Sequence, residues 1–269
     1  MSRTLFEWLN TVMPKDGGAR RVARDVPFGD HPAQMLDIYA PKDFETALPV
    51  LVFFHGGGWN SGTRAEYEFA GRAYAAAGFI TVLPGYRIVP EAHFPDFVVD
   101  GALALNWIDA EISVFGGDPK RLALMGHSAG AYNAAMLALD PARFGANAAP
   151  ANIKALVGLS GPFDFYPFEV PEAIETFSRT GEPERTQPIN LAHPGAPPAY
   201  LGHGTKDTVC GLHNTENLAA ALRASGVPVI ERHYAGIGHA APLLALFPLL
   251  RWRVPVYRET VRFLHQHLG

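Results

Sequence analysis

An α/β architecture is what the sequence predicts: a mostly parallel sheet of about eight strands with helices on both faces. Three observations predict it. From Pro49 onward, apolar runs of five to eight residues alternate with stretches of helical periodicity. The runs are apolar at successive rather than alternate positions, as strands buried on both faces of a parallel sheet require. Two of them run directly into glycine-rich turns, which suits the tight junctions of right-handed βαβ units.

Taken in order, the chain first sets Phe6, Leu9 and Met13 at helical spacing, which predicts a short amphipathic helix. RRVARDVPFG and AQMLDIYA follow as two extended stretches, joined by a loop with Gly29, Asp30 and Pro32, and expected to pair antiparallel at one edge. The predicted inner strands are PVLVFF (49–54), FITVLP (79–84), RLALM (121–125), ALVGLS (155–160), PAYLG (198–202) and VPVIERHY (227–234). Between them, helices are predicted over 64–76, 96–113, 129–139, 214–225 and 256–267. Residues 162–196 break the rhythm with many prolines and aromatics and no clear period. Such an insertion is a functional loop or small cap, or surface padding, within a single domain spanning 1–269.

Composition narrows the function. A chain of 269 residues with 48% hydrophobic residues buries roughly three quarters of its unfolded surface, so it needs no disulfide or metal to hold a core. Its net charge of −4, without blocks of like charge, argues against nucleic acid or an anionic membrane as main partner. Cys210 is the single cysteine, which fits a reducing compartment. The first residues lack the pattern of a secretory leader, and no 18 apolar residues run together, so no membrane span and a cytoplasmic location are expected. A homo-oligomer is left open.

Two strand ends carry chemistry. RLALM leads into GHSAG (126–130) and then a helical stretch, the strand–turn–helix setting of a G-x-S-x-G nucleophile elbow. There Gly126 and Gly130 allow close packing around a strained turn that presents Ser128, although the pattern alone also suits a plain bend. PVLVFF leads into HGGGW (55–59), whose glycines let backbone amides turn toward a bound oxygen. The amides of Gly56, Gly57 and Ala129 are therefore the expected oxyanion hole, each donor contributing about 3–4 kcal/mol. No phosphate-cradle motif supports the competing use of these glycines.

A serine nucleophile needs a base and an orienting acid. His239, in YAGIGHAAP after the last predicted strand, is the expected base. His203 precedes the acid, and His127 should diverge from its neighbour at a tight turn. His55 is read as a brace of the glycine loop, and His265 and His267 as residues of a solvated helix face. Asp207, in HGTKDTV, is the expected acid, 79 residues after Ser128 and 32 before His239. The competitor, Asp164 in SGPFD, is read as a loop or capping carboxylate. Trp59, Phe163, Phe165 and Tyr166 are expected to line the substrate pocket. APLLALFPLL (241–250) either adds a wall or is a core-packed or partner-facing helix. Tyr86 and Arg87 sit at a strand end where they could line the acyl pocket; the preferred reading is that Arg87 and Glu91 brace the sheet against the 96–113 helix through ion pairs or loop hydrogen bonds.

Together HGGGW, YRIVPEAHFP (86–95), FGGDPKRLALMGHSAGA (115–131), HGTKDTV and GIGHA (236–240) resemble an α/β-hydrolase esterase of the carboxylesterase/hormone-sensitive-lipase-like superfamily. The markers spread from about residue 20 to the C-terminus. The resemblance implies the α/β-hydrolase fold and ester hydrolysis by Ser128, Asp207 and His239 through an acyl-enzyme, with no cofactor and no metal. The chain carries GHSAG where hormone-sensitive-lipase-like enzymes carry GDSAG, and where they carry a longer N-terminal cap ahead of HGGG, 54 residues precede His55 here, most of them expected as edge strands. It is thus more similar to capless acyl esterases, feruloyl-esterase-like proteins and kynurenine formamidases. A small ester of short to medium acyl chain, or an aryl ester, is the implied substrate. The alternatives are a kynurenine-formamidase-like amidase with the same triad and a catalytically silent binding protein on the scaffold.

Overall fold

The computed structural model describes residues 5–146 and 152–269. Eight strands form its sheet: β1 (Ala19–Pro27), β2 (Met35–Pro41), β3 (Leu48–Phe54), β4 (Ile80–Pro84), β5 (Gly117–His127), β6 (Ile153–Leu159), β7 (Ala199–Gly204) and β8 (Val229–Tyr234). Their order is β1-β2-β4-β3-β5-β6-β7-β8. β1 pairs antiparallel with β2, and β2 with β4; the remaining pairs are parallel, as the sequence pattern requires.

The helices are α1 (Leu5–Val12), α2 (Glu68–Ala76), α3 (Asp96–Glu111), α4 (Ala129–Leu139), α5 (Pro171–Phe177), α6 (His213–Ala224), α7 (Ala241–Leu244) and α8 (Val256–Leu268). Leu9 and Met13 of the first amphipathic segment pack on the core; the side chain of Phe6 lies outside the described residues. The helix expected over 64–76 opens instead with a 3₁₀ turn, Arg64–Tyr67, which buries Glu66 and Tyr67. Among the described residues, no helix is long and apolar enough to cross a membrane.

Side chains alternate across the pleat and feed two cores. Val50, Val52 and Phe54 face one cluster with Leu122, Leu124 and the residues of α3 and α4. Leu51 and Phe53 face the other with α2 and α8. Every residue of α4 is buried, and its run of alanines lets the helix lie close against the sheet.

Register is what assembles the site. Phe54 of β3 pairs with Gly126 of β5, so HGGGW and GHSAG leave adjacent strands side by side. Gly204 of β7 pairs with Tyr234 of β8, so the loops holding Asp207 and His239 leave the same edge together. All four loops extend the carboxyl ends of parallel strands, where ligands bind in open α/β sheets.

Three expectations take more definite form. The 162–196 segment contains α5 and two 3₁₀ turns, and aromatics pin it down: the fully buried Phe177 packs edge-on against Trp59 (4.9 Å between centroids) and Phe165 (5.2 Å). In the 241–250 stretch, Leu243, Leu246 and Phe247 are fully buried, so it packs into the core. Arg87 braces α3 by bonding the fully buried Asp100 through both Nε (2.9 Å) and Nη2 (2.8 Å). Glu91 takes no part in that brace. Its carboxylate is exposed and lies 3.5 Å from His31.

Candidate active site

Ser128 sits at φ +55, ψ −127, a region costing about 1–3 kcal/mol for a residue with a Cβ. Neighbouring backbone holds it there: its amide donates to Leu159 O (2.9 Å), and its carbonyl accepts from Ala131 (2.9 Å) and Tyr132 (3.2 Å). The flanking glycines are needed for space. A Cβ on Gly126 would lie 2.2 Å from Gly130 C, and one on Gly130 only 2.1 Å from Phe54 O. Strand, turn and helix are thus locked together, and Ala129 opens α4 with its amide end toward the serine.

Asp207 and His239, the expected acid and base, lie in contact. His239 Nδ1–H donates to Asp207 Oδ2 at 2.8 Å. Asp207 Oδ1 accepts from the amides of Val209 and Cys210, both at 2.9 Å. Burial by itself would raise this carboxyl, but hydrogen bonds from His203, His239 and the Cys210 amide prevail and hold it far below the usual carboxylate range. Asp164 is bonded instead by Asn217 of α6 at 2.6 Å.

Two histidines do more than the sequence suggests. His203 is fully buried; its Nε2 lies 3.1 Å from Asp207 Oδ2 and 2.8 Å from Cys210 O, while Nδ1 meets Thr215 Oγ1 at 2.9 Å. His127, expected to point away, instead lies against His239. Its ring centroid is 4.8 Å from that of His239, and its Nε2 is 2.9 Å from the His239 carbonyl. Divergence of neighbouring side chains at the elbow sends His127 toward the β8 loop, which is where His239 sits.

In the glycine loop, His55 is a brace as expected. It stacks on Tyr86 (4.2 Å, 9°), its Nδ1 bonds Gly56 O (2.9 Å), and burial pushes it down to about 4. The expectation for Gly56 needs correction. Its amide donates to Tyr67 Oη at 3.0 Å, so it is directed at a side chain rather than at an open oxygen site. Gly57, at φ +130, continues the loop along the cavity. A Cβ there would collide with Ser61 O at 2.1 Å, so only glycine fits. Tyr67 carries no signal in the sequence beyond its place in a helical stretch.

One cavity of about 960 Å³ collects these groups: Ser128, Ala129, His127, His239, Gly57 and Tyr67 all line it. Trp59, Phe165 and Tyr166 form part of its wall as expected. Phe163 does not. It is fully buried in the core, with its ring against Gly158 and Gly161. Val209 and His213, which carry no signal in the sequence, also line the cavity.

Eight strands in this order, with a strained serine after β5 and an aspartate–histidine pair after β7 and β8, define an α/β-hydrolase. The chain belongs to the BD-FAE family, whose model matches residues 36–222. It is 29% identical to isoprenylcysteine alpha-carbonyl methylesterase ICME of Arabidopsis thaliana, the match covering 92% of this chain and 63% of that protein. It is 32% identical to esterase LipC of Mycobacterium tuberculosis, over 82% of this chain and 60% of the relative. The chain therefore spans about three fifths of the length of these curated relatives. Among solved structures, a phosphonate-inhibited esterase B from Lactobacillus rhamnosis superposes with TM-score 0.86 at 16% identity, covering 97% of this chain and 90% of that one.

Proposed function

We propose that this chain is a serine carboxylic ester hydrolase acting on short- to medium-chain acyl or aryl esters. The observation that carries the reading is the 2.8 Å His239–Asp207 hydrogen bond beside the cavity that Ser128 lines. Relatives named as esterases support the reaction class.

In this reading the carboxylate of Asp207 fixes the His239 proton on Nδ1, leaving Nε2 with a lone pair to take the Ser128 proton. Ser128 Oγ attacks the ester carbonyl carbon, and the carbonyl electron pair moves onto oxygen. The amides of Gly57 and Ala129, with Gly58 next in the loop, receive that oxyanion; Gly56 is replaced in this role because its amide serves Tyr67. The C–O bond to the alcohol breaks, and His239 returns its proton to the leaving oxygen. Water, deprotonated by His239, then attacks the acyl-enzyme, and the acid leaves as Ser128 recovers its proton. The aromatic wall of Trp59, Phe165 and Tyr166 gives the acyl or aryl group an apolar surface.

Steady-state rates on p-nitrophenyl acetate, butyrate and octanoate, set beside an N-formyl arylamide, test the proposal. The expected result is ester hydrolysis that falls about 10⁴-fold or more in Ser128→Ala, with the amide slower than the esters. Faster amide turnover would assign the same triad to amidase chemistry, and activity unchanged in Ser128→Ala would remove the serine mechanism.

A further inference from the structure

His127 stands between Gly126 and Ser128, where it ends β5, yet it is 3% exposed and reaches across to a residue 112 positions away. A carbonyl oxygen only accepts, so the proton of the 2.9 Å contact with His239 O must reside on His127 Nε2. His127 Nδ1 is then the unprotonated nitrogen, and it has no hydrogen-bond partner among the described residues. The ring lies 4.8 Å from that of His239 with an interplanar angle of 54°, so it forms a wall beside the imidazole.

Besides the His239 side-chain bond to Asp207, the loop that carries His239 is tied to the loop after β7 through contacts of its backbone. Its first half is held by Lys206 N–H on Ile237 O (2.9 Å) and by Gly236 N–H on Thr205 Oγ1 (2.9 Å). Both anchors come from the loop after β7, the one that carries the acid. The His127 contact is different in kind: it fastens the base's own carbonyl to the strand end that carries the nucleophile.

We propose that His127 is a positioning residue for the reaction. Its Nε2–H fastens the His239 backbone and its ring backs the His239 imidazole, fixing the separation of base and nucleophile. The proposal rests on the triad reading above. It assigns a function to the residue that separates GHSAG from GDSAG: a donor is required here, because the facing atom is a carbonyl oxygen. A carboxylate in its place would set a second acceptor against that oxygen.

The groups that face His127 are His239, Asp207 and His203. Burial, and then the neighbouring His239, push His127 down to about 3, so it stays neutral while the base gains and loses its proton. An uncharged wall leaves the imidazolium of the reaction unopposed by a second cation.

The test compares His127→Gln, whose Nε2 keeps a donor near the same place, with His127→Leu and His127→Asp. Each is assayed for kcat and KM on p-nitrophenyl butyrate, for the pH midpoint of kcat/KM, and for the low-field NMR resonance of the His239 Nδ1 proton. His127→Leu and His127→Asp are expected to lose about 10- to 100-fold in kcat with KM within twofold, as small misplacements of catalytic groups do. Both should broaden the low-field resonance, and Gln should restore kcat to within about threefold of wild type. If Leu does not fold, His127→Asn, too short to reach the carbonyl, replaces it. A kcat and pH midpoint for Leu equal to wild type would overturn the proposal, as would equal damage in Gln and Leu. The NMR resonance needs no turnover. Wild type that gives the resonance but no hydrolysis would therefore fail the esterase reading alone, and a resonance unchanged in Leu would fail the positioning role alone.

Discussion

His203 Nε2 lies 3.1 Å from Asp207 Oδ2, with both side chains fully buried. Asp207 is therefore gripped from two sides, by His239 at the cavity and by His203 behind it. A hydrogen bond to a charged acceptor contributes about 1.5–3 kcal/mol. His203→Leu removes this one together with the Cys210 carbonyl contact. In a chain of this size its Tm is expected to fall by about 5 °C or more, measured by thermal melting at pH 7. A melt within 1 °C of wild type would mean that the contact contributes little.

Gly130 marks where the elbow tolerates no side chain. In Gly130→Ala the new Cβ meets backbone atoms of Phe54 and His55, at 2.1 and 2.4 Å, which cannot rotate away. Loss of soluble protein or a drop of several degrees in Tm is expected. Gly181→Ala is the matched control, since nothing lies within 4 Å of its Cβ, and it should melt like wild type.

Acid stability follows from His127 and His55, held down at about 3 and about 4 by burial. An unfolded histidine titrates near 6.5, so between about pH 6.5 and 4 the unfolded chain binds more protons than the folded one. Stability must then decline as pH falls through this window, by up to about 1.4 kcal/mol per pH unit for each residue. Asp207, depressed, keeps its full contribution across this window and loses it progressively only as pH falls below about 4, the unfolded carboxyl range. Melting curves from pH 7 to 5 should show a smaller drop in His127→Gln than in wild type, and parallel curves would contradict the assignment.

Substrate length is set in this account by Phe165 and Tyr166, which come from the 162–196 segment and line the cavity. Wild type should favour acetate to octanoate esters over long-chain triglyceride emulsions. Phe165→Ala should raise kcat/KM for decanoate relative to butyrate by roughly 3- to 10-fold, as an opened apolar wall accommodates extra methylenes. An unchanged ratio would move the acyl group elsewhere in the cavity.

Much of this was legible because chemistry at strand ends needs particular residue types. Gly126 and Gly130 are sterically required, Asp207 and His239 follow adjacent parallel strands, and the inner apolar runs mark their strands within a residue or two, except that β5 begins at Gly117, four residues before its run. What sequence could not supply was side-chain direction. Phe163 and Phe165 are two residues apart in an irregular stretch, yet one enters the core and the other the cavity. Gly56 and Gly57 are adjacent and chemically identical, and only the position of Tyr67, contributed by a 3₁₀ turn, separates their roles. His127 is opaque for the same reason: an elbow turns its neighbour away from the serine, and sequence does not show that the β8 loop lies where that neighbour points.

Ser128 as nucleophile is the central claim, and intact-mass spectrometry after treatment with a p-nitrophenyl alkylphosphonate tests it most directly. Attack by Ser128 Oγ on phosphorus, with loss of p-nitrophenolate, should add one phosphonyl group per chain, located on Ser128 by peptide mapping. Ser128→Ala should gain none while melting like wild type. An adduct that persists in Ser128→Ala, or folded wild-type protein that takes up no phosphonyl group, would contradict the account.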